Sequence, residues 1–482
     1  MLSRFERSVP ELEGVHSSGL LSCLSRFDAL EGNDQLHSFL VVRHGKLIHE
    51  SYWRPFCGND THKMFSLSKS FTSSAVGFAV QEGLIDIDRT VLSYFPDCCL
   101  DDASERMRSM TVRHVLTMTS GHAECPIGAV MSKGVKNWVR GFFGEELVHE
   151  PGSTFVYNSL ATYVLSALVC RVSGCGLVDY LMPRLFEPLG IQRPHWECCP
   201  LGIETGGWGL QLRSEDIAKF GELYLRKGVW GTKRLLPESW IEMATAKQVD
   251  NSAGRVLDWA AGYGFQFWRC LPEGVYRGDG AYGQYCIVMP KQDMVVVITS
   301  AVGDMQRILN ILWEELLPAI EDDALEADAD AFDSLVSFSR NLVVRRSKTP
   351  GVALSSGYAG RYAMDSNDRK IAFVEFSELP AGVGLRLEHE DGNVTELRFG
   401  KDDFVVNARN WDAMDGETSA GAVSATGENS FKLDLLGLEG PFRVFWNCQW
   451  NQDGSLLIGA RKNFCFFGAA QWPEMRGRKL QV

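Results

Sequence analysis

The chain has 482 residues, with Lys+Arg 48 against Asp+Glu 61 and a formal net charge of −13. Hydrophobic residues at 45% and charged residues at 23% exclude a mainly disordered chain. The length excludes a single hydrophobic core, which stops growing at roughly 250–300 residues. The acidic balance argues against a nucleic-acid partner, and no run of about 18 uncharged apolar residues offers a membrane span.

The first residues, MLSRFERSVPELEG, carry no apolar run behind a basic start, so they do not read as a secretory signal. The thirteen cysteines are odd in number and scattered, and no CxxC occurs. Reduced, mostly buried thiols and a cytoplasmic location are expected. Residues 38–54 read as a β-hairpin about His44-Gly45. Helix is predicted over 66–82, where Leu67, Phe71, Ala75, Phe78 and Ala79 recur at helical spacing before Gly83. Further helices are expected at 111–119, 159–173, 176–188, 214–227 and 304–319, and strands at 285–289 and 293–300. Strand hairpins at both ends, with helices between, suggest an α/β (α+β) architecture: an antiparallel sheet flanked by helices.

After residue 320 the composition shifts. Residues 321–330 carry six acidic side chains in ten, and 345–357 hold Pro, Gly and Ser, the composition of a solvated linker. From Tyr358 short alternating strands follow, with turns at Asp391-Gly392-Asn393 and Asp453-Gly454. The expected division is a catalytic domain over 1–320, an acidic flexible linker over 321–354 and a small β-barrel-like domain over 355–482.

Three elements carry chemistry. The first is Ser66-x-x-Lys69 within MFSLSKSFTS; three residues is nearly one helical turn, so the two side chains share a face. At a helix start Ser66 feels the positive end of the dipole, which favours an alkoxide and disfavours a charged Lys69. A serine needs such a base beside it to attack an acyl carbon. No other lysine in the chain has serine three places before it. The second is Phe155-Val156-Tyr157-Asn158-Ser159; of twelve tyrosines only Tyr157 has Asn or Ser two places on. A tyrosine base needs its pKa brought from about 10 to about 7, a cost on the order of 4 kcal/mol, which a Lys69 ammonium would partly offset. The third is Arg277-Gly278-Asp279-Gly280-Ala281-Tyr282 before an inner strand. Its glycines would let a substrate approach the backbone, and a backbone N–H there could complete an oxyanion hole.

In this order the three resemble the serine β-lactamase and penicillin-binding-protein superfamily, over about residues 35–315. The likeness is nearest to the class C-related branch that includes 6-aminohexanoate-dimer hydrolases and carboxylesterases. Leu116-Thr117-Met118-Thr119-Ser120-Gly121, Phe186-Glu187-Pro188-Leu189-Gly190 and Gly206-Gly207-Trp208-Gly209-Leu210 support it. The resemblance implies Ser66 as acyl-accepting nucleophile and Lys69 with Tyr157 as the proton-transfer pair. It implies the N–H groups of Ser66 and Ala281 as oxyanion hole. Ser159, Gly278, Asp279, Gly280 and Tyr282 would meet the substrate, with no cofactor and no metal. Ser159 stands where the Tyr-x-Asn motif has asparagine, and Gly278-Asp279-Gly280 stands where Lys-Thr-Gly is usual. Without that lysine a carboxylate-bearing substrate is disfavoured, and a neutral small-molecule ester or amide is expected. Two alternatives stay open: a D-amino-acid peptidase or β-lactamase of the same fold, and a non-catalytic binding or scaffold protein with a vestigial site. The β domain resembles barrels appended to some D-aminopeptidases and esterases, which implies a packing or dimerising module and leaves room for a homodimer. Trp138, Phe142 and Phe143, in the stretch 122–150, are candidates to line an apolar pocket.

Overall fold

The computed structural model describes residues 5–98, 103–253, 255–346, 357–408, 411, 418–466 and 470–480. In chain order its main sheet uses β1 (Glu6–Arg7), β2 (Gln35–Arg43), β3 (Lys46–Tyr52), β4 (Trp268–Arg269), β5 (Tyr276–Gly280), β6 (Gln284–Met289) and β7 (Met294–Ala301). Their spatial order is β1-β3-β2-β7-β6-β5-β4, and every pairing except the parallel β1–β3 is antiparallel. The β2–β3 turn is His44-Gly45, with φ of 51° and 74°, the left-handed pair whose twist suits a two-residue hairpin.

Strand alternation gives this sheet two buried faces. Leu40, Val42, Val288, Val295 and Val297 join one core, and Phe39, Val41, Ile287, Val296 and Ile298 join the other. Coverage on both faces explains why these strands read as continuous apolar runs. The second face is covered by α1 (Ser17–Asp28), and the first by α2 (Ser68–Gln81) and α4 (Ser214–Leu225), with α3 (Ser159–Ser173) packed on α2. The predicted helix over 304–319 forms as α5 (Met305–Ile311) and continues through short π and 3-10 turns to Ala319. The expected 111–119 helix is only Val112–Leu116, closed at its start by a capping box between Thr111 and His114.

The stretch read as a solvated linker contains a helix, α6 (Ala329–Arg340), packed against α1. Asp328, from the acidic run, caps it by accepting from the Ala331 N–H at 3.0 Å. The same run is tied to the amino-terminal segment, where Glu321 N–H donates to Gly14 and Leu325 N–H to Glu11. Its acidic composition hid one apolar stripe, including the buried Leu335. Most of the Pro- and Ser-containing stretch 345–357 lies outside the described residues.

The remainder is an all-β barrel. Its strands are β8 (Gly360–Met364), β9 (Ile371–Leu379), β10 (Gly382–His389), β11 (Val394–Gly400), β12 (Val405–Asn407), β13 (Ser419–Gly427), β14 (Ser430–Gly437), β15 (Arg443–Trp450), β16 (Ser455–Lys462) and β17 (Met475–Lys479). Nine strands close in the order β11-β10-β9-β8-β17-β16-β15-β14-β13, the ring sealed by Gly400 against Ala422, while β12 lies along β13. Alternate residues such as Val383, Leu385, Leu397 and Phe399 fill the interior. The barrel abuts the main domain: Lys63 N–H donates to Glu439 at 2.8 Å, and Arg443 reaches Gln35 at 3.2 Å.

Candidate active site

Ser66 sits in a 3-10 turn, Phe65–Leu67, that runs directly into α2. Its segment is fixed at the back, where Met64 N–H donates to Leu210 at 2.8 Å and the Leu210 N–H donates to Ser68 Oγ at 3.2 Å. Lys69, one turn on, is 1% exposed. Its Nζ lies 3.0 Å from Ser66 Oγ, 2.9 Å from Ser159 Oγ and 2.6 Å from the Gly207 carbonyl. Among the described residues no carboxylate pairs with it directly. Burial therefore pulls its pKa down to about 7, against a weaker upward pull from Cys125 and Asp279. A neutral Lys69 has two hydrogens and one lone pair. The hydrogens suit the Gly207 carbonyl and Ser159, leaving the lone pair for the Ser66 proton.

Tyr157 and Ser159 flank the start of α3. Asn158, between them, is the N-cap, its Oδ1 accepting from Ala161 N–H at 3.1 Å. That cap turns Asn158 away from the site and leaves Ser159 facing Lys69. The Tyr157 hydroxyl lies close enough to Ser66 for that serine to lower its pKa, and Lys69 Nζ stands 4.8 Å from the Tyr157 ring centre. The expectation of a tyrosine with lowered pKa is reversed here. Burial, then the Asp279 charge, push Tyr157 above its ordinary value, and the nearby Ser66 offsets this only in part. The group that titrates near neutrality is Lys69.

The third motif differs from its expected use. A Cβ on Gly278 would stand 2.4 Å from Leu67 Cδ1 and 2.7 Å from Ser70 Oγ, and one on Gly280 would stand 2.1 Å from the Met64 carbonyl oxygen. These glycines admit the Ser66-bearing segment against β5 rather than a substrate; both are buried. No space exists at 278 for the usual lysine. Arg277 and Asp279 point to the opposite side, as alternation requires, and bond to each other at 2.9 Å. Arg277 is stacked on Trp259 and Trp268, with guanidinium-to-ring distances of 4.6 Å and 5.7 Å. Burial holds the Asp279 carboxyl above its usual range although Arg277, Lys69 and Trp268 oppose this. Its charge acts on Lys69 and Tyr157 from behind. Ala281 follows in a turn pinned by the buried Gln284, whose amide donates to the Ala281 and Ser300 carbonyls at 3.0 Å and 2.8 Å. The Tyr282 ring turns toward the barrel, with ring centres 4.8 Å from both Phe464 and Phe466.

Several contributors were not singled out by spacing. Gly207 belongs to the GGWGL stretch, but nothing in that string announces a carbonyl ligand for an ammonium. Tyr157 is stacked on Trp268 at 5.4 Å and set edge-on to Tyr263, both from a segment without strong periodicity. The LTMTSG stretch supports Tyr157 from below, where Val156 N–H donates to Met118 at 2.8 Å and Gly152 N–H to Thr119. Trp138, Phe142 and Phe143 line no pocket at Ser66; they are core residues at 5%, 0% and 3% exposure. From that stretch it is Cys125 that comes near enough to influence Lys69 and Tyr157.

Comparison with known proteins places the chain in a family. The Beta-lactamase family model matches residues 37–310. The chain is 24% identical over 289 residues to the 6-aminohexanoate-dimer hydrolase of Paenarthrobacter ureafaciens, covering 55% of this chain and 73% of that protein. It is 24% identical over 292 residues to penicillin-binding protein 4 of Amycolatopsis lactamdurans, covering 52% and 75%. The fold resembles that of a family VIII carboxylesterase, with TM-score 0.51 and 16% identity over 65% of this chain and all of that one. It also resembles an octameric penicillin-binding protein homologue from Pyrococcus abyssi, with TM-score 0.50 and 15% identity over 96% of this chain and 98% of that one. The chain belongs to the Beta-lactamase family of serine-hydrolase fold.

Proposed function

We propose that the protein cleaves a neutral ester or amide through a covalent acyl-enzyme on Ser66. The observation that carries this reading is the buried Lys69 within 3.0 Å of Ser66 Oγ, with its pKa pulled down to about 7. Neutral Lys69 takes the Ser66 proton as Oγ attacks the acyl carbon. The developing oxyanion is held by the N–H groups of Ser66 and Ala281. Tyr157, which keeps its proton at neutral pH, gives it to the leaving oxygen or nitrogen and recovers one from Lys69. The steps run in reverse order with water as the nucleophile: Tyr157 takes the water proton as it passes its own to neutral Lys69, and Lys69 returns that proton to Ser66 Oγ as the oxygen leaves. Ser159 holds Lys69 in place. With no cation at 278 and Arg277 committed to Asp279, nothing in this motif pairs with a substrate carboxylate, which favours neutral esters and amides over penicillins.

Incubation with a fluorophosphonate probe and with p-nitrophenyl butyrate tests the reading. Wild type is expected to be labelled and to turn over, and Ser66→Ala to do neither. Equal labelling and hydrolysis by Ser66→Ala would sink the proposal. Nitrocefin turnover far above ester turnover would assign the site to β-lactams instead.

A further inference from the structure

We infer that the barrel is part of the catalytic apparatus, its Phe442, Phe464 and Phe466 acting as positioning residues for the oxyanion-binding backbone. This rests on the acyl-enzyme reading above. Two residues next to the reacting atoms carry bulky side chains at left-handed φ: Phe65 at 46°, just before Ser66, and Tyr282 at 65°, just after Ala281. Such backbone is unfavourable for an aromatic residue and persists only where the surroundings over-determine it. The Ser66 N–H belongs to the peptide that joins Phe65 to Ser66, so the Phe65 backbone sets its direction. Tyr282 likewise holds the far side of Ala281.

What holds these two rings comes largely from the barrel. Phe65 and Tyr282 meet edge-on at 5.7 Å. Phe65 also packs on Phe442 at 6.1 Å and Phe466 at 5.6 Å. Tyr282 packs on Phe442 at 5.8 Å and on Phe464 and Phe466 at 4.8 Å each. Edge-on and tilted contacts at these distances are the favourable arrangements for aromatic pairs. A second, independent tie runs through the backbone: Lys63 N–H, three residues before Ser66, donates to Glu439 of the barrel at 2.8 Å. From the other side, the Tyr282 carbonyl accepts from Ser300 Oγ at 2.7 Å and from Val302 N–H at 3.0 Å. Without the barrel rings, the strained Phe65 and Tyr282 would lose the contacts that keep them from relaxing, and the two amides would lose their shared aim.

The test uses the full chain. Phe466 is 52% exposed, so Phe466→Ala leaves the barrel interior intact; Phe464→Ala, whose ring packs against the barrel core, is read with an unfolding control beside it. With p-nitrophenyl butyrate, kcat is expected to fall at least about ten-fold, part of the roughly 10²–10³ that loss of one oxyanion donor costs. KM should change less than about two-fold, and fluorophosphonate labelling of Ser66 should slow in parallel. The pH midpoint of the rate should stay in place, because Lys69 is untouched, and Phe466→Tyr should restore most of kcat. Unchanged kcat and labelling in variants of an active wild type would overturn this inference alone. A rise in KM at constant kcat would also overturn it, making the rings a substrate wall instead. A wild type that neither labels nor hydrolyses would overturn the hydrolase reading and take this inference with it.

Discussion

Lys69 illustrates how one buried atom links stability to reactivity. Its ammonium is enclosed by a carbonyl and two hydroxyls, with no carboxylate among the described residues in contact, so burial dominates and the pKa falls to about 7. If its neutral form is the base, kcat/KM should rise about ten-fold per pH unit below about 7 and level off above it. A pH–rate profile checks this, and a flat profile through neutrality would remove Lys69 as the base. The same shift bears on folding. Below about pH 7 Lys69 is charged in both states, and the folded state bears the full cost of burying the charge. Between about 7 and the ordinary lysine value near 10.4, the unfolded chain binds a proton that the folded chain lacks, so stability rises with pH. Lys69→Met should therefore abolish turnover while stabilising the fold, with a larger gain at about pH 6 than at about pH 9 in urea unfolding.

At the scale of elements, the contact between β5 and the start of α2 decides the shape of the site. Gly278 and Gly280 let the Met64–Ser70 segment lie against the strand at distances a side chain would occupy. Gly278→Ala should destabilise the fold by about 1–3 kcal/mol, as overpacking does, and displace the segment that carries Ser66. Denaturant unfolding with ester turnover measures both effects; wild-type values for both would contradict the close packing. Gly278→Lys should not create penicillin binding, since the new side chain meets Leu67 and Ser70 instead of solvent. The cap of α3 offers a milder probe. Asn158→Ala should cost about 1 kcal/mol in thermal or urea unfolding, because Asn158 Oδ1 satisfies the Ala161 N–H. It should also lower turnover, since Tyr157 and Ser159 flank that cap.

Across the whole molecule, the barrel and the sheet domain meet through polar and aromatic contacts together. Arg443 is central: buried in the barrel, it pairs with Asp434 by two hydrogen bonds, reaches Gln35 in β2 and donates to the Arg345 carbonyl at 2.6 Å. Arg443→Ala leaves Asp434 buried without its partner and should cost about 3–5 kcal/mol. Urea unfolding followed by tryptophan fluorescence checks it, and a loss below about 1 kcal/mol would mean that the pair is not buried as described.

Much of the architecture was legible in the chain. The hairpin about His44-Gly45, helix 159–173, the strands near 285–300 and the DG-turn strands of the barrel follow from local periodicity and turn chemistry, which tertiary contacts here reinforce. The family was legible too, because three motifs occur in order along the chain, the first of them with Ser66 and Lys69 one turn apart and so on one face. The direction of the pKa shifts was not legible. Whether Tyr157 or Lys69 titrates near neutrality depends on which atom is stripped of water, and that is set by Gly207, Trp268 and Asp279, which are far from both in sequence. The acidic run concealed α6, since composition averages over a narrow apolar stripe that only α1 makes useful. Local sequence thus determined the elements and the identity of the candidate nucleophile, through short-range sterics and spacing. The tertiary structure alone decided what Gly278 admits, which group can act as base and that barrel rings reach Phe65 and Tyr282, because burial and contact between distant segments exist only once the chain is folded.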